Sequence, residues 1–225
     1  EEGLEAVSAR EVRRLFKLGG FKLCLETLYF IRDKQARVHL IELNWAQKDF
    51  VERVERQLRE IGRVKILVLK ARQLGLSTVI EGIEIIVKFL TPNCFSLILS
   101  YEAKSAEYLY NMGRRALVER WPLGSMPLQR DRLDGMVIGD PVNSVTEVAT
   151  AKNAGSGRSR TIQFLHASEV AFFENASRLM LGMLQSVPDI GTFVFMETTA
   201  NGIGNYFHQQ WEKAEAGQSS YEPVF

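Results

Sequence analysis

The sequence predicts an α/β protein, a three-layer sandwich around a mainly parallel sheet. Three observations carry this. Four apolar runs recur along the chain, "VKILVL" (64–69), "CFSLILS" (94–100), "TIQFLHAS" (161–168) and "GTFVFMET" (191–198). Segments of helical periodicity separate them. The 225 residues, 46% hydrophobic and 24% charged, suffice for a sizeable core. An apolar run without alternation is the mark of a strand buried on both faces, as in parallel sheets. Strands that alternate with helices close into such layers. Ligands then sit at the carboxyl ends of the strands.

The elements follow in order. Residues 1–20 read as a helix with Leu4, Val7, Val12, Leu15 and Phe16 near helical spacing and Gly19-Gly20 as its stop. Residues 21–43 carry no clear period. Asn44 caps "WAQKDFVERVERQLREIG", a helix with Phe50, Val51, Val54, Leu58 and Ile61 on one face and Gly62 as terminator. The strand 64–69 leads into the helix "STVIEGIEIIVKFL", which Thr91-Pro92 ends. A second strand over 94–100 precedes a helix over about 103–119. Pro122, Pro127, Gly135, Gly139 and Pro141 punctuate residues 121–150, whose short alternating runs predict hairpins inserted in the α/β frame. A third strand over 161–168, a helix over about 176–187, a fourth strand over 191–198 and the helix "GNYFHQQWEKAEA" complete the set. Residues 1–43 are expected as an N-terminal helical or lid segment and 44–225 as the core. The chain opens on "EEGLEA" without Met and closes on "SYEPVF", where a strand begins, so the expectation is a domain cut from something longer.

Composition narrows the function. Lys+Arg 28 against Asp+Glu 27 gives a net charge of +1, so nucleic acid would be held by a local patch rather than a global field. Cys24 and Cys94 form no metal or redox pair and read as reduced core thiols of a cytosolic protein. The three histidines lack zinc spacing. No apolar run reaches membrane-spanning length, and no signal peptide is visible.

The chemistry concentrates after the first buried strand. "KARQLGLST" (70–78) is a turn that opens a helix. A loop that wraps a triphosphate needs small residues so that backbone N–H groups converge, a helix N-terminus and a hydroxyl for Mg²⁺. Gly75, Ser77 and Thr78 supply them. On the G-x-x-x-x-G-K-[ST] frame Leu76 takes the lysine's place, while Lys70 and Arg72 stand at the front. Either cation could reach the β- and γ-phosphates. The alternative is an ordinary βα turn.

Other segments bear on that choice. In "FLHASEVAF" the third strand ends in His166, Ser168 and Glu169, which sets a carboxylate at the carboxyl end of a neighbouring strand to orient water. Ser168 occupies the position of the usual Mg²⁺-binding acid, so the ion would be held through Ser168 and water. Thr198, Thr199 and Asn201 cluster at the end of the fourth strand, where a γ-phosphate sensor would lie, or where a strand simply caps a turn. "NAGSGRSR" is a glycine-loosened loop carrying Arg158 and Arg160, placed to reach a neighbouring subunit's phosphates, nucleic acid or solvent. Gln47, at the start of its helix, has an amide able to bond the N6/N7 edge of adenine. Trp45 reads as a buried helix-start aromatic, with a stacking platform as the alternative.

In order, "LNWAQKDF", "KARQLGLST", "LSYEAKSAEYL", "GSGRSRTIQFLHASEVAF" and "ETTANG" resemble the ATPase domain of the tailed-bacteriophage terminase large subunit, a DNA-packaging motor. The resemblance spans about residues 40–217, and the combination is specific where each motif singly is not. It implies a P-loop NTPase fold of the ASCE type that hydrolyses ATP with Mg²⁺. Residues Lys70, Arg72, Gln73, Leu74, Gly75, Leu76, Ser77 and Thr78 would form the Walker A loop around ATP. Lys70 or Arg72 would do the displaced lysine's work, Ser77 or Thr78 would bind Mg²⁺ and Gln47 would sense adenine. Glu169 would be the catalytic glutamate of Walker B, with Ser168 on the metal side. Thr198 and Thr199 would couple hydrolysis to movement, and Arg158 would be the arginine finger. The resemblance further implies double-stranded DNA bound without sequence reading, a portal protein and a small terminase subunit as partners, a pentameric ring, and the cytoplasm of an infected bacterial host. The family's nuclease domain has no counterpart in this sequence. Two rival readings stand beside it: a helicase-like DNA-dependent ATPase, and a silent nucleotide-binding assembly module suggested by Leu76 and Ser168.

Overall fold

The structure, a computed structural model, describes residues 3–71, 74–124, 126, 128–153 and 160–225. Its elements in chain order are α1 (Leu4–Leu28), β1 (Phe30–Arg32), β2 (Val38–Leu40), α2 (Trp45–Ile61), β3 (Val64–Leu69), α3 (Leu76–Leu90), β4 (Phe95–Ser100) and α4 (Ala103–Val118). Then come β5 (Leu128–Arg132), β6 (Gly135–Ile138), β7 (Val145–Thr150), β8 (Phe164–Ser168), α5 (Ala176–Leu184), β9 (Phe193–Thr198), α6 (Tyr206–Glu215) and β10 (Glu222–Val224). Among the described residues one sheet has eight strands in the order β10-β3-β9-β8-β4-β7-β6-β5. The first six run parallel and the β6 and β5 edge is antiparallel.

The apolar runs fold as their chemistry demands. In β3, Ile66 and Val68 join a core with Phe21 and Leu25 of α1, Phe50 and Val54 of α2, Ile80 and Ile83 of α3 and Tyr110 of α4. Leu67 points the other way, into a second core with Leu165, Val194, Met196, Met180 and Met183 of α5 and Phe207 of α6. Strand period two thus feeds both faces, and three layers result. Each large side chain so buried stabilises the fold by roughly 1.5–3 kcal/mol. α1 and α3 approach so closely that a Cβ on Gly82 would lie 2.5 Å from Leu25 Cδ2.

Several expectations need correction. Gly19-Gly20 does not end the first helix but kinks it, with Gly20 at φ 65°, and the helix resumes to Leu28. The restart is stable because Glu55 of α2 accepts from the freed Phe21 N–H at 2.7 Å, as a capping side chain would. Residues 21–43, which showed no period, hold the rest of α1 and the hairpin β1–β2. The hairpins expected over 121–150 are present as the consecutive antiparallel pairs β5–β6 and β6–β7, and β7 also runs parallel to β4, so both hairpins extend the main sheet rather than stand apart from it. Trp45 is not buried but 79% exposed. The buried face of α2 carries Gln47, Phe50, Val51 and Val54, and Trp45 sits roughly 200° round the helix from Gln47. Cys24 and Cys94 are free buried thiols. No helix of the described residues is long and apolar enough to cross a membrane.

Candidate functional site

The carboxyl ends of β3, β9 and β8 lie side by side, with β9 between the other two. The strand bearing Glu169 is therefore not the direct neighbour of the loop strand, as the sequence suggested, but one strand further on. The intervening β9 has a consequence for the chemistry. It sets Glu197 between the loop and Ser168.

The loop after β3 is clamped from α2. Asn44 and Gln47 form a capping box: Gln47 N–H donates to Asn44 Oδ1 at 2.9 Å, and Asn44 N–H donates to Gln47 Oε1 at 3.0 Å. The remaining amide hydrogens of the same two side chains reach the loop. Asn44 Nδ2 donates to the Leu74 carbonyl at 3.2 Å and Gln47 Nε2 to the Gly75 carbonyl at 3.0 Å. Gly75 has φ 73°, a left-handed conformation that favours glycine, and a Cβ there would lie 2.6 Å from Gln47 Nε2. α3 starts at Leu76 with no side-chain cap among the described residues, so its first N–H groups have no capping side chain there. Gln47 is thus placed at the loop, but both ends of its amide serve the clamp. The predicted residues Arg72, Gln73 and Arg158 lie outside the described residues.

Lys70 does stand at the loop's front with Ser77. Its Nζ is 2.6 Å from Ser77 Oγ and 2.7 Å from Glu197 Oε2. Ser77 Oγ donates to Glu197 Oε1 at 2.8 Å, and Ser168 Oγ donates to the same oxygen at 2.9 Å. Glu197 and His166 are fully buried. His166 Nε2 lies 3.2 Å from Glu197 Oε1, and its Nδ1 lies 2.5 Å from Glu81 Oε1 on α3. Burial opposes charge on His166, but Glu197 and Glu81 outweigh it and raise its pKa to about 9. Burial likewise pushes Glu197 upward, and His166 and Lys70 outweigh it, holding the carboxyl well below its ordinary range. Glu81, farther from the lysine, is raised, chiefly by burial. A buried line of charge therefore runs Lys70–Glu197–His166–Glu81 beneath the loop. The sequence reading missed Glu197, His166 as its partner, and Glu81. The signal was available: ionisable residues inside the apolar runs "FVFMET" and "FLHAS", one each, and "VIEGIEIIV", two.

Glu169 follows β8 with φ 59°, a conformation uncommon outside glycine, and leads into a 3₁₀ turn at Val170–Phe172. Its Oε2 accepts from Thr199 Oγ1 at 3.1 Å. The segment after β9 is stitched to the segment after β8 again by Asn201 Nδ2, which donates to the Ala171 carbonyl at 3.0 Å. Thr198 Oγ1 donates to the Thr199 carbonyl at 2.9 Å. Lys70, Glu169 and Thr199 line one open cleft of about 530 Å³, with Tyr101 and Glu102 on its far wall. Thr78 faces away, toward Met112 Sδ at 3.7 Å. Arg160 rests 5.1 Å over the Phe95 ring and pairs with Glu147 at 3.2 Å.

No group of three or more His, Cys, Asp or Glu side chains among the described residues is arranged to hold a metal ion by itself. A Mg²⁺ site that shares its ligands with phosphates and water needs no such cage. The oxygen donors Ser77 and Glu197, hard and adjacent, fit that ion.

The mixed α/β architecture with its large, mainly parallel sheet is consistent with the P-loop fold of a terminase ATPase domain, and two solved structures share that fold. An arginine-to-alanine variant of the Thermus phage P74-26 large terminase ATPase domain superposes with a TM-score of 0.60 and 17% identity, covering 81% of this chain and 80% of that one. The same phage's large terminase ATPase domain gives 0.56 and 18%, covering 72% and 74%. No protein-family model matches the chain, and no curated protein matches it.

Proposed function

We propose that this chain is an ATP-hydrolysing motor domain of a viral DNA-packaging terminase. The observation that carries the reading is the convergence of Lys70, Glu169 and Thr199 on one cleft beside the uncapped start of α3. The terminase fold of the two solved structures supports the class of motor.

ATP's phosphates would lie against the 70–78 backbone, with the N–H groups at the start of α3 directed at them. Lys70 would turn from Glu197 to the β- and γ-phosphates. Ser77 would hold Mg²⁺, which would supply neutralising positive charge when bound. Glu169 would accept a proton from the attacking water and orient it. Thr199, hydrogen-bonded to Glu169, would carry the loss of the γ-phosphate into the 198–201 segment. Arg158 of a neighbouring copy would supply positive charge in the transition state, worth roughly 10³–10⁵ in rate in related phosphoryl transfers. Duplex DNA would be held through its phosphates, so binding would fall with salt. A pentameric ring on a portal, served by a small subunit in the host cytoplasm, completes the reading.

The test is steady-state ATP hydrolysis with Mg²⁺ against protein concentration, for the wild type and Lys70→Ala. Turnover per subunit that rises with concentration and is lost in the variant is the expected result. Turnover independent of concentration would remove the trans-acting arginine. Full activity in Lys70→Ala would remove the displaced cation.

A further inference from the structure

The acid expected beside Glu169 is Ser168, yet the site is not short of a carboxylate. We propose that Glu197, one strand nearer the loop, takes over the metal-side role of the missing acid by fixing the Ser77 hydroxyl for a divalent cation. This rests on the proposed nucleotide site and adds a residue that the motif comparison leaves without a role.

The geometry is specific. Glu197 is the second-last residue of β9, in register with Ser168 of β8 and with Val68 of β3. A side chain leaving β9 at that level reaches the space that an acid at position 168 would fill. Glutamate is one methylene longer than aspartate and spans the extra distance from the adjacent strand. One oxygen, Oε1, accepts from both Ser77 Oγ at 2.8 Å and Ser168 Oγ at 2.9 Å. Ser168 thus buttresses the displaced acid. Because Ser77 gives its proton to Glu197, its lone pairs are aimed outward, and Lys70 Nζ now fills that direction at 2.6 Å. Lys70 would leave that direction for the phosphates, and the Ser77 lone pairs would then be open to a divalent cation. The carboxylate is held from behind by His166 at 3.2 Å, which is in turn held by Glu81 of α3. Outer-shell partners of this kind typically change metal affinity by about 10–100-fold when removed.

The experiment measures Mn²⁺ binding by electron paramagnetic resonance with and without ADP, alongside the affinity for ADP in a chelator. The proteins are the full chain, Glu197→Gln, and Glu197→Gln combined with Ser168→Asp. Glu197→Gln should lower Mn²⁺ affinity in the presence of ADP by about 10–100-fold and leave metal-free ADP affinity within a few-fold. The added Ser168→Asp should return most of the Mn²⁺ affinity. A purely structural role would weaken both affinities together and would not be repaired at 168. Unchanged Mn²⁺ affinity in Glu197→Gln overturns the assignment while leaving the nucleotide site intact. A wild type that binds neither ADP nor Mn²⁺·ADP overturns the nucleotide site itself. If Glu197→Gln does not fold, Fe²⁺-directed backbone cleavage of the wild type with ADP decides: cuts at 196–198 as well as 76–78 support the assignment, and cuts confined to the loop and β8 refute it.

Discussion

The clamp between α2 and the loop after β3 makes a quantitative prediction at Gly75. Alanine there keeps φ at 73° only with the left-handed strain of an L-residue, about 1–2 kcal/mol. Its Cβ would sit 2.6 Å from Gln47 Nε2, so the amide must withdraw and lose its bond to the Gly75 carbonyl, about 0.5–1.5 kcal/mol. Gly75→Ala should therefore cost roughly 1.5–3.5 kcal/mol. Gln47→Ala loses the same bond and half the capping box, roughly 1–3 kcal/mol. The shared bond is lost only once, and the small side chain removes the clash. The double variant should thus cost less than the sum, by about 0.5–1.5 kcal/mol. Urea unfolding at constant m-value reads all three. Additivity within about 0.3 kcal/mol would refute the clamp. ADP affinity should fall in each variant, because the loop's carbonyls are then free to turn inward.

Three more predictions follow from buried or paired charge. Glu169→Gln should bind ATP with near wild-type affinity and lose turnover by at least about 10²-fold; single-turnover hydrolysis at saturating ATP checks it. Lys88, fully buried, pairs with Glu84 at 2.7 Å, and Thr146 Oγ1 donates to Glu84 Oε1 at 2.8 Å. Lys88→Met should cost about 3–5 kcal/mol by stranding that carboxylate, and adding Glu84→Gln should recover most of it, as thermal unfolding would show. On β10, burial raises the Glu222 carboxyl but hydrogen bonds from Arg56, Gln57 and Arg53 of α2 outweigh it and lower its pKa below the ordinary 4.5. A depressed folded-state value gives stability that is present above 4.5 and lost as pH falls through the lowered value. Glu222→Gln should accordingly flatten the acid limb of a stability–pH curve and change little at pH 7 beyond the loss of the ion pairs.

Most of the architecture was legible because parallel strands buried on both faces write themselves as apolar runs. "VKILVL" and "GTFVFMET" give β3 and β9 to within two residues. The hairpin β1–β2 was not, because strands of three residues with half-exposed faces have no period to read. Gly19-Gly20 misled because a helix restart depends on Glu55, a partner distant in sequence. Trp45 misled for the opposite reason: a helix-start aromatic says nothing of which face it takes until the anchors Phe50, Val51 and Val54 set the phase. At the site, Lys70 with Ser77, and Glu169 with Thr199, were each read from local motifs and do come together. Glu197 was not, since its role follows from strand order rather than from spacing. Only when β9 is seen between β3 and β8 does a glutamate in an apolar strand fall beside Ser77.

That strand order also gives the two carboxylates environments that suit the different duties proposed for them. Glu169 lies past the end of β8, on the wall of the open cleft, and accepts there from a threonine of the 198–201 segment. Glu197 lies one residue inside the end of β9, sealed from solvent, with a lysine, two serine hydroxyls and a histidine around it. An acid that takes a proton from water must reach the solvent side and be free to exchange partners. An acid that fixes a cation's hydroxyl ligand must stay ionised and still. Burial alone would push Glu197 toward the neutral form, and the imidazolium of His166, anchored on α3 through Glu81, together with Lys70 prevents this. The helix that presents Ser77 at its first turn therefore also carries the anchor of the acid that orients Ser77. A shift of α3 against β9 would disturb the hydroxyl and its carboxylate together. Ser77 and Glu197, the proposed metal-side pair, thus answer to one mechanical element, and Glu169, the proposed water-directing acid, tied to the 198–201 segment instead, answers to another.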